Sequence, residues 1–96
     1  MIARVHNAKG KTILAVCDSA LLGKKFEDKN LLLDLTADYY RGEEMSEERI
    51  FALVRTASIL SFIGKQSVAF AFSRGLISEA SILRVKGIPH AQSVRA

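Results

Sequence analysis

Residues 12–17 read Thr-Ile-Leu-Ala-Val-Cys, with five consecutive apolar side chains from Ile13 to Cys17. Side chains along a strand alternate between two faces, so a strand of this kind is apolar on both. That is what a central strand needs. The run before it, residues 2–6, has one wet face: Arg4 and His6 alternate with Ala3 and Val5. Between the two runs stands Ala-Lys-Gly-Lys, where Gly10 permits a tight turn and Lys9 and Lys11 keep it solvated. The sequence therefore opens on a β-hairpin whose second strand is a central one.

Ninety-six residues, 49% apolar and 25% charged, allow one globular domain over 1–96. A chain of this size buries roughly two-thirds of its unfolded surface, enough for a core without disulfides. Cys17 is the single cysteine, so neither an internal disulfide nor a Cys-x-x-Cys zinc site can form. This composition suits a reducing, cytoplasmic setting. The opening Met-Ile-Ala-Arg-Val-His lacks the apolar run of a signal peptide, and no stretch approaches ~18 uninterrupted apolar residues. No membrane partner is expected.

Further along, Asp18 or Ser19 is placed to cap a short helical turn that Gly23 ends. Residues 24–30 read as a charged loop, 31–35 as a third strand, and 36–44 as a loop holding Tyr39, Tyr40 and Gly42. Ser46 caps a helix with Glu47 and Glu48 in its first turn, where the helix dipole favours acids. Ile50, Leu53, Val54, Ala57 and Leu60 recur at helical spacing, which predicts one helix running to Gly64. Residues 65–74 carry two signals. Val68, Phe70 and Phe72 alternate as in a strand, but Ala69, Ala71 and the Gly75-Leu76 end favour a helix, and helix is the reading. Residues 76–81 read as a turn or short helix capped by Ser78. Residues 82–86 form the last strand, stopped by Gly87 and Pro89 because proline cannot donate to a ladder. The expected fold is α+β: a small, mostly antiparallel sheet of about four strands with a helical pair on one face.

Charge is uneven along the chain. Residues 1–29 carry +3, residues 30–50 carry −4, and residues 51–96 carry +5. If folding brings the basic ends together, Lys9, Lys11, Lys24, Lys25, Arg84 and Lys86, with Lys29 and Arg74, would form an electrostatic footprint for phosphate. Tyr39 and Tyr40 could stack bases or anchor a core edge. No RNP signature, Gly-x-x-Gly clamp or zinc finger accompanies them. The expected partner is RNA or a ribonucleoprotein, and no sequence-specific readout is implied.

Catalytic signatures are missing from the sequence. There is no nucleophile elbow, P-loop or dinucleotide fingerprint, and His6 and His90 share no metal-ligand spacing. No metal and no cofactor is expected. Cys17, at the end of an apolar strand, reads as a small buried hydrophobe. The candidate site is the segment holding the only proline: Gly87, Pro89, His90 and Gln92, with Asp18 and Tyr40 as possible neighbours. A stiff proline would aim His90 at a ligand or a proton. Asp18, Cys17 and His90 would meet only if the second and last strands were adjacent.

The segments Tyr39–Glu43, Phe62–Ser78 and above all Gly87-Ile88-Pro89-His90-Ala91-Gln92 resemble the archaeal domain of unknown function 424, as do Gly64 and Gly75-Leu76-Ile77. The resemblance spans nearly the whole chain. It implies a small archaeal cytosolic protein tied to translation or RNA, and supplies no catalytic residue. Three functions stay open: an RNA- or ribonucleoprotein-binding protein, a small enzyme or ligand binder built around His90, and a protein-interaction module using the acidic middle and the tyrosine pair.

Overall fold

The computed structural model describes residues 1–29, 31–36 and 38–94. Strands β1 (Ile2–Ala8) and β2 (Lys11–Cys17) form the expected hairpin, closed by Lys9 and Gly10, both at positive φ. Two positive-φ residues in a two-residue loop make the type I′ turn that matches strand twist. After a 3-10 turn at Ser19–Leu21 come β3 (Lys25–Glu27), β4 (Leu32–Asp34), a second 3-10 turn at Asp38–Tyr40 and β5 (Glu43–Glu44). Helix α1 (Glu47–Val54) leads to β6 (Ile59–Ile63), and α2 (Lys65–Ser73) to a third 3-10 turn at Glu79–Ser81. Strands β7 (Leu83–Val85) and β8 (Ile88–Val94) end the described chain.

The main sheet has six strands in the order β5-β1-β2-β6-β8-β7. It is mixed, since β2 and β6 run parallel while their other neighbours are antiparallel. The architecture is α+β as expected, but the sheet is larger than four strands and not simply antiparallel. Residues 31–35 do not join it. Their strand β4 pairs with β3, inside the segment read as a charged loop, in a separate two-stranded sheet.

The predicted long helix divides. Ser46 caps α1 as expected, its hydroxyl accepting from the Arg49 N–H. The helix stops at Val54, and Ser58 then docks on β2 by donating its N–H to the Thr12 carbonyl at 2.8 Å. Ile59–Ile63 follows as a strand, buried from Leu60 onward. Helical spacing and a doubly covered strand give the same short apolar pattern, so Leu60 satisfied both readings. Two β-branched residues and Phe62 decide for the strand. Lys65–Ser73 is helical, with Arg74 as its C-cap, and α2 ends as expected. Leu76 N–H donates to the Ala71 carbonyl and Gly75 N–H to the Phe72 carbonyl, with Gly75 at φ +70°.

Pro89 does not stop a strand. It lies inside β8, opposite Arg84, and the stop before it is a second Lys-Gly type I′ turn at Lys86 and Gly87. The Pro89 carbonyl accepts the Gly64 N–H at 2.9 Å, while the Gly64 carbonyl is taken by the Val68 N–H of α2. The N–H that proline lacks is therefore one no neighbouring acceptor requires, which is why the ladder tolerates it.

Both faces of the sheet are covered. On one, Leu14, Val16, Leu60 and Phe62 pack against Ile50 and Val54 of α1 and Val68, Phe70 and Ala71 of α2. On the other, Cys17, Ile63 and Val85 pack against Leu33, Leu35 and Phe26 of the small hairpin region and against Tyr40. Phe62 and Leu14 are fully buried, each contributing roughly 1.5–3 kcal/mol.

Candidate functional site

The pleat separates the residues of the candidate segment. Pro89 and Ala91 face the helices, whereas His90 and Gln92 face the opposite layer. Cross-strand register places Cys17, Ile63 and His90 in one row on that second face. Strand β6 thus lies between β2 and β8, keeping Cys17 and His90 two strand spacings apart, roughly 10 Å. The Asp18–Cys17–His90 grouping does not form.

Asp18 instead belongs to α2. Its carboxylate accepts from the Gln66 and Ser67 N–H groups at 3.0 and 2.8 Å and from the Ser67 hydroxyl at 2.8 Å. No side-chain bond from Asp18 caps the 3-10 turn that follows it. The N-terminus of α2, where free N–H groups would attract a phosphate, is thereby occupied. Gly64 makes room, since a Cβ there would lie 2.3 Å from the Asp18 carboxyl carbon.

On the second face, among the described residues, buried His90 Nδ1 has no protein hydrogen-bond partner, and the buried Ser61 hydroxyl lies beside the Tyr40 phenol. Ser61 pairs with Gln92 across β6 and β8, diagonal to His90. Burial lowers the imidazole pKa from its ordinary 6.5. It also raises that of the Tyr40 phenol, an effect that the nearby Ser61 hydroxyl partly offsets. Cys17 is fully buried, and burial followed by the adjacent Asp18 charge pushes its thiol up to about 11. It is a packing residue and not a nucleophile.

The tyrosine pair is engaged internally. Tyr40 enters the second core, and Tyr39 stacks on His6 with ring centroids 4.2 Å apart. His6 Nε2 donates to the Tyr39 carbonyl at 2.7 Å. The acidic middle is tied down too. Glu43 pairs with Arg49, Glu47 with Arg74, and Glu44 with the Met1 amine and the Ser19 hydroxyl, which together hold the Glu44 carboxyl below its usual pKa.

The basic residues do not converge on one face. The Lys9-Gly10 turn, with Lys11, and the Lys86-Gly87 turn, with Arg84, lie at opposite ends of the sheet and towards opposite edges. Arg74 is not free, because its guanidinium lies over the Phe51 ring at 4.8 Å and the Phe70 ring at 5.3 Å. Lys24 and Lys25 flank the small hairpin that packs on the second face, near Val85 and so near the Lys86 end. Lys65, at the first position of α2, adds to that end.

A cleft of about 420 Å³ opens there between α2 and β7–β8. Val68, Ala69, Phe72, Ile82 and Pro89 make its apolar wall, and Lys65, Arg84 and Glu79 supply its charges. Residues 65, 68/69 and 72 share one helix face, and Arg84 points to the same side of the sheet as its partner Pro89. The Phe72 ring is 51% exposed, unusual for a large aromatic. Among the described residues neither Lys65 nor Arg84 forms an ion pair. A larger cleft of about 700 Å³ lies between the helices, and three of its polar residues are already committed: Ser46 caps α1, Glu47 meets Arg74, and Ser73 bonds the Phe70 carbonyl.

The model of the family described as "Protein of unknown function (DUF424)" matches residues 6–96. The chain belongs to the DUF424 family. Its fold is similar to that of an uncharacterized conserved protein from Methanopyrus kandleri, with a TM-score of 0.76 and 23% identity over 99% of this chain and 92% of the other. No curated protein matches the chain. Family membership agrees with the resemblance carried by Gly87–Gln92.

Of the predicted site residues in this DUF424 protein, the cleft gathers Arg84 and Pro89, with Lys86 in the turn beside them. Lys65, Phe72 and Glu79 were not anticipated. Phe72 had a signal, being the third apolar residue of the alternating run Val68, Phe70, Phe72, which a helix cannot bury entirely. Lys65 and Glu79 had none, because their convergence depends on how α2 crosses the sheet.

Proposed function

We infer that this protein binds single-stranded RNA, alone or within a ribonucleoprotein, in the cytoplasm, through the cleft between α2 and β7–β8. The observation that carries the reading is the half-exposed Phe72 ring flanked by the unpaired cations Lys65 and Arg84. Single-stranded nucleic acid is held by just these two elements, an aromatic surface for a base and cations for the backbone. The cleft volume falls in the range that accepts a small ligand or one splayed nucleotide. Lys86, in the turn after Arg84, extends the positive charge at this end, and the free Cys17 thiol suits a reducing compartment. Among the described residues no helix is long and apolar enough to cross a membrane.

The test is fluorescence anisotropy with a labelled single-stranded RNA of about ten nucleotides. With three phosphates met by Lys65, Arg84 and Lys86, log K falls against log salt with a slope of about −2. Phe72→Ala weakens binding by about 1–3 kcal/mol through lost stacking, and Lys65→Glu/Arg84→Glu abolishes it at moderate salt. Absent binding at low salt, or binding indifferent to both variants, contradicts the reading.

A further inference from the structure

Glu79 is the one acid among the groups lining the cleft. A carboxylate is out of place where a backbone phosphate must sit, since it opposes the charge that Lys65 and Arg84 attract. Nor is it there to neutralise those cations: among the described residues Glu79 makes no ion pair and no side-chain hydrogen bond. The chain holds it there through the 3-10 turn at Glu79–Ser81, fixed by Ile82 N–H donating to the Glu79 carbonyl and Ser81 to the Ser78 carbonyl.

An ionised carboxylate only accepts hydrogen bonds, and it accepts two at once when donors lie side by side. The four RNA bases differ in what they offer. Guanine presents its ring N1–H and exocyclic amine next to each other, a matched pair of donors. Cytosine and adenine set an acceptor nitrogen beside their amine. Uracil flanks its single N–H with two carbonyl oxygens, which repel a carboxylate. Glu79 lines the same cleft as Phe72, so it is among the groups that the edge of a base stacked on that ring would meet.

We propose that the cleft selects guanine, with Glu79 as the specificity-determining residue that accepts from the guanine N1–H and amine. The inference rests on the RNA-binding reading of the same cleft. It assigns the phosphates to Lys65 and Arg84, the base plane to Phe72 and the base edge to Glu79.

The experiment compares four ten-nucleotide RNAs that differ only at a central guanine, inosine, adenine or uracil in an otherwise uridine strand. Binding to wild type and to Glu79→Gln is measured by anisotropy at one salt concentration. One bidentate contact predicts guanine over uracil by about tenfold. Inosine, which keeps N1–H and loses the amine, falls between. Glu79→Gln brings the four together while its affinity for the uridine strand is kept or raised. Equal binding of all four by wild type, still weakened by Lys65→Glu/Arg84→Glu, overturns the guanine assignment and leaves RNA binding intact. Failure of every strand to bind overturns the RNA reading, and the guanine assignment with it.

Discussion

His90 shows how a residue can be conspicuous in the sequence and yet take a quiet place in the fold. It follows the only proline, but the pleat sends it to the face opposite Pro89, under the second layer, with Nδ1 unpartnered. Burial lowers its pKa below the ordinary 6.5. Between the folded and unfolded values the unfolded chain holds more protons, so folding stability drops as pH falls through about 6.5. The contribution is present above that pH and lost below it. Urea denaturation at pH 7, 6 and 5 should show wild type losing stability that His90→Gln keeps; parallel pH profiles would mean His90 titrates freely. Cys17 is the opposite case. Its apolar context alone indicated a buried thiol, and the structure agrees.

At the scale of elements, the junction between β6 and α2 is the most tightly specified. Gly64 turns the chain at φ +111°, its N–H is held by Pro89, and the space a side chain would fill belongs to the Asp18 carboxylate. Asp18→Ala leaves two helix N–H groups and the Ser67 hydroxyl without their acceptor, a loss of about 1–3 kcal/mol. Gly64→Ala should cost at least as much, through backbone strain and the clash with Asp18. In the Asp18→Ala background the clash is gone, so the double variant should be less destabilised than the two losses added, a coupling that thermal denaturation of the four proteins measures. Strict additivity would deny the contact. Both glycines that end or begin α2 are visible in the sequence, but Gly64 fits the end of a preceding helix as well as the start of α2, because residues 59–63 fit two periodicities. Local rules make Asp18 a cap for the turn beside it, whereas its partners Gln66 and Ser67 are 48 and 49 residues away, a separation that leaves no local pattern.

For the whole molecule, the β1–β2 hairpin, its Lys-Gly turn, the capped start of α1 and the whole of α2 were legible, because each rests on short-range rules of alternation and capping. The mixed six-stranded order was not, since the parallel β2–β6 pair is fixed only by burial of two doubly apolar strands against each other. Charge misled for the same reason. Two basic segments suggested one basic face, but the topology sets Lys9 and Lys11 far from Arg84 and Lys86, and it is Lys65 that completes a usable site. That convergence is the centre of the functional account, and an ¹⁵N NMR titration with a single-stranded RNA tests it most directly. The account predicts shift changes grouped on Lys65, Ala69, Phe72, Glu79, Arg84 and Lys86, fading as salt is added. Changes grouped instead at the Lys9 turn or around His90, or an unchanged spectrum at low salt, would contradict it.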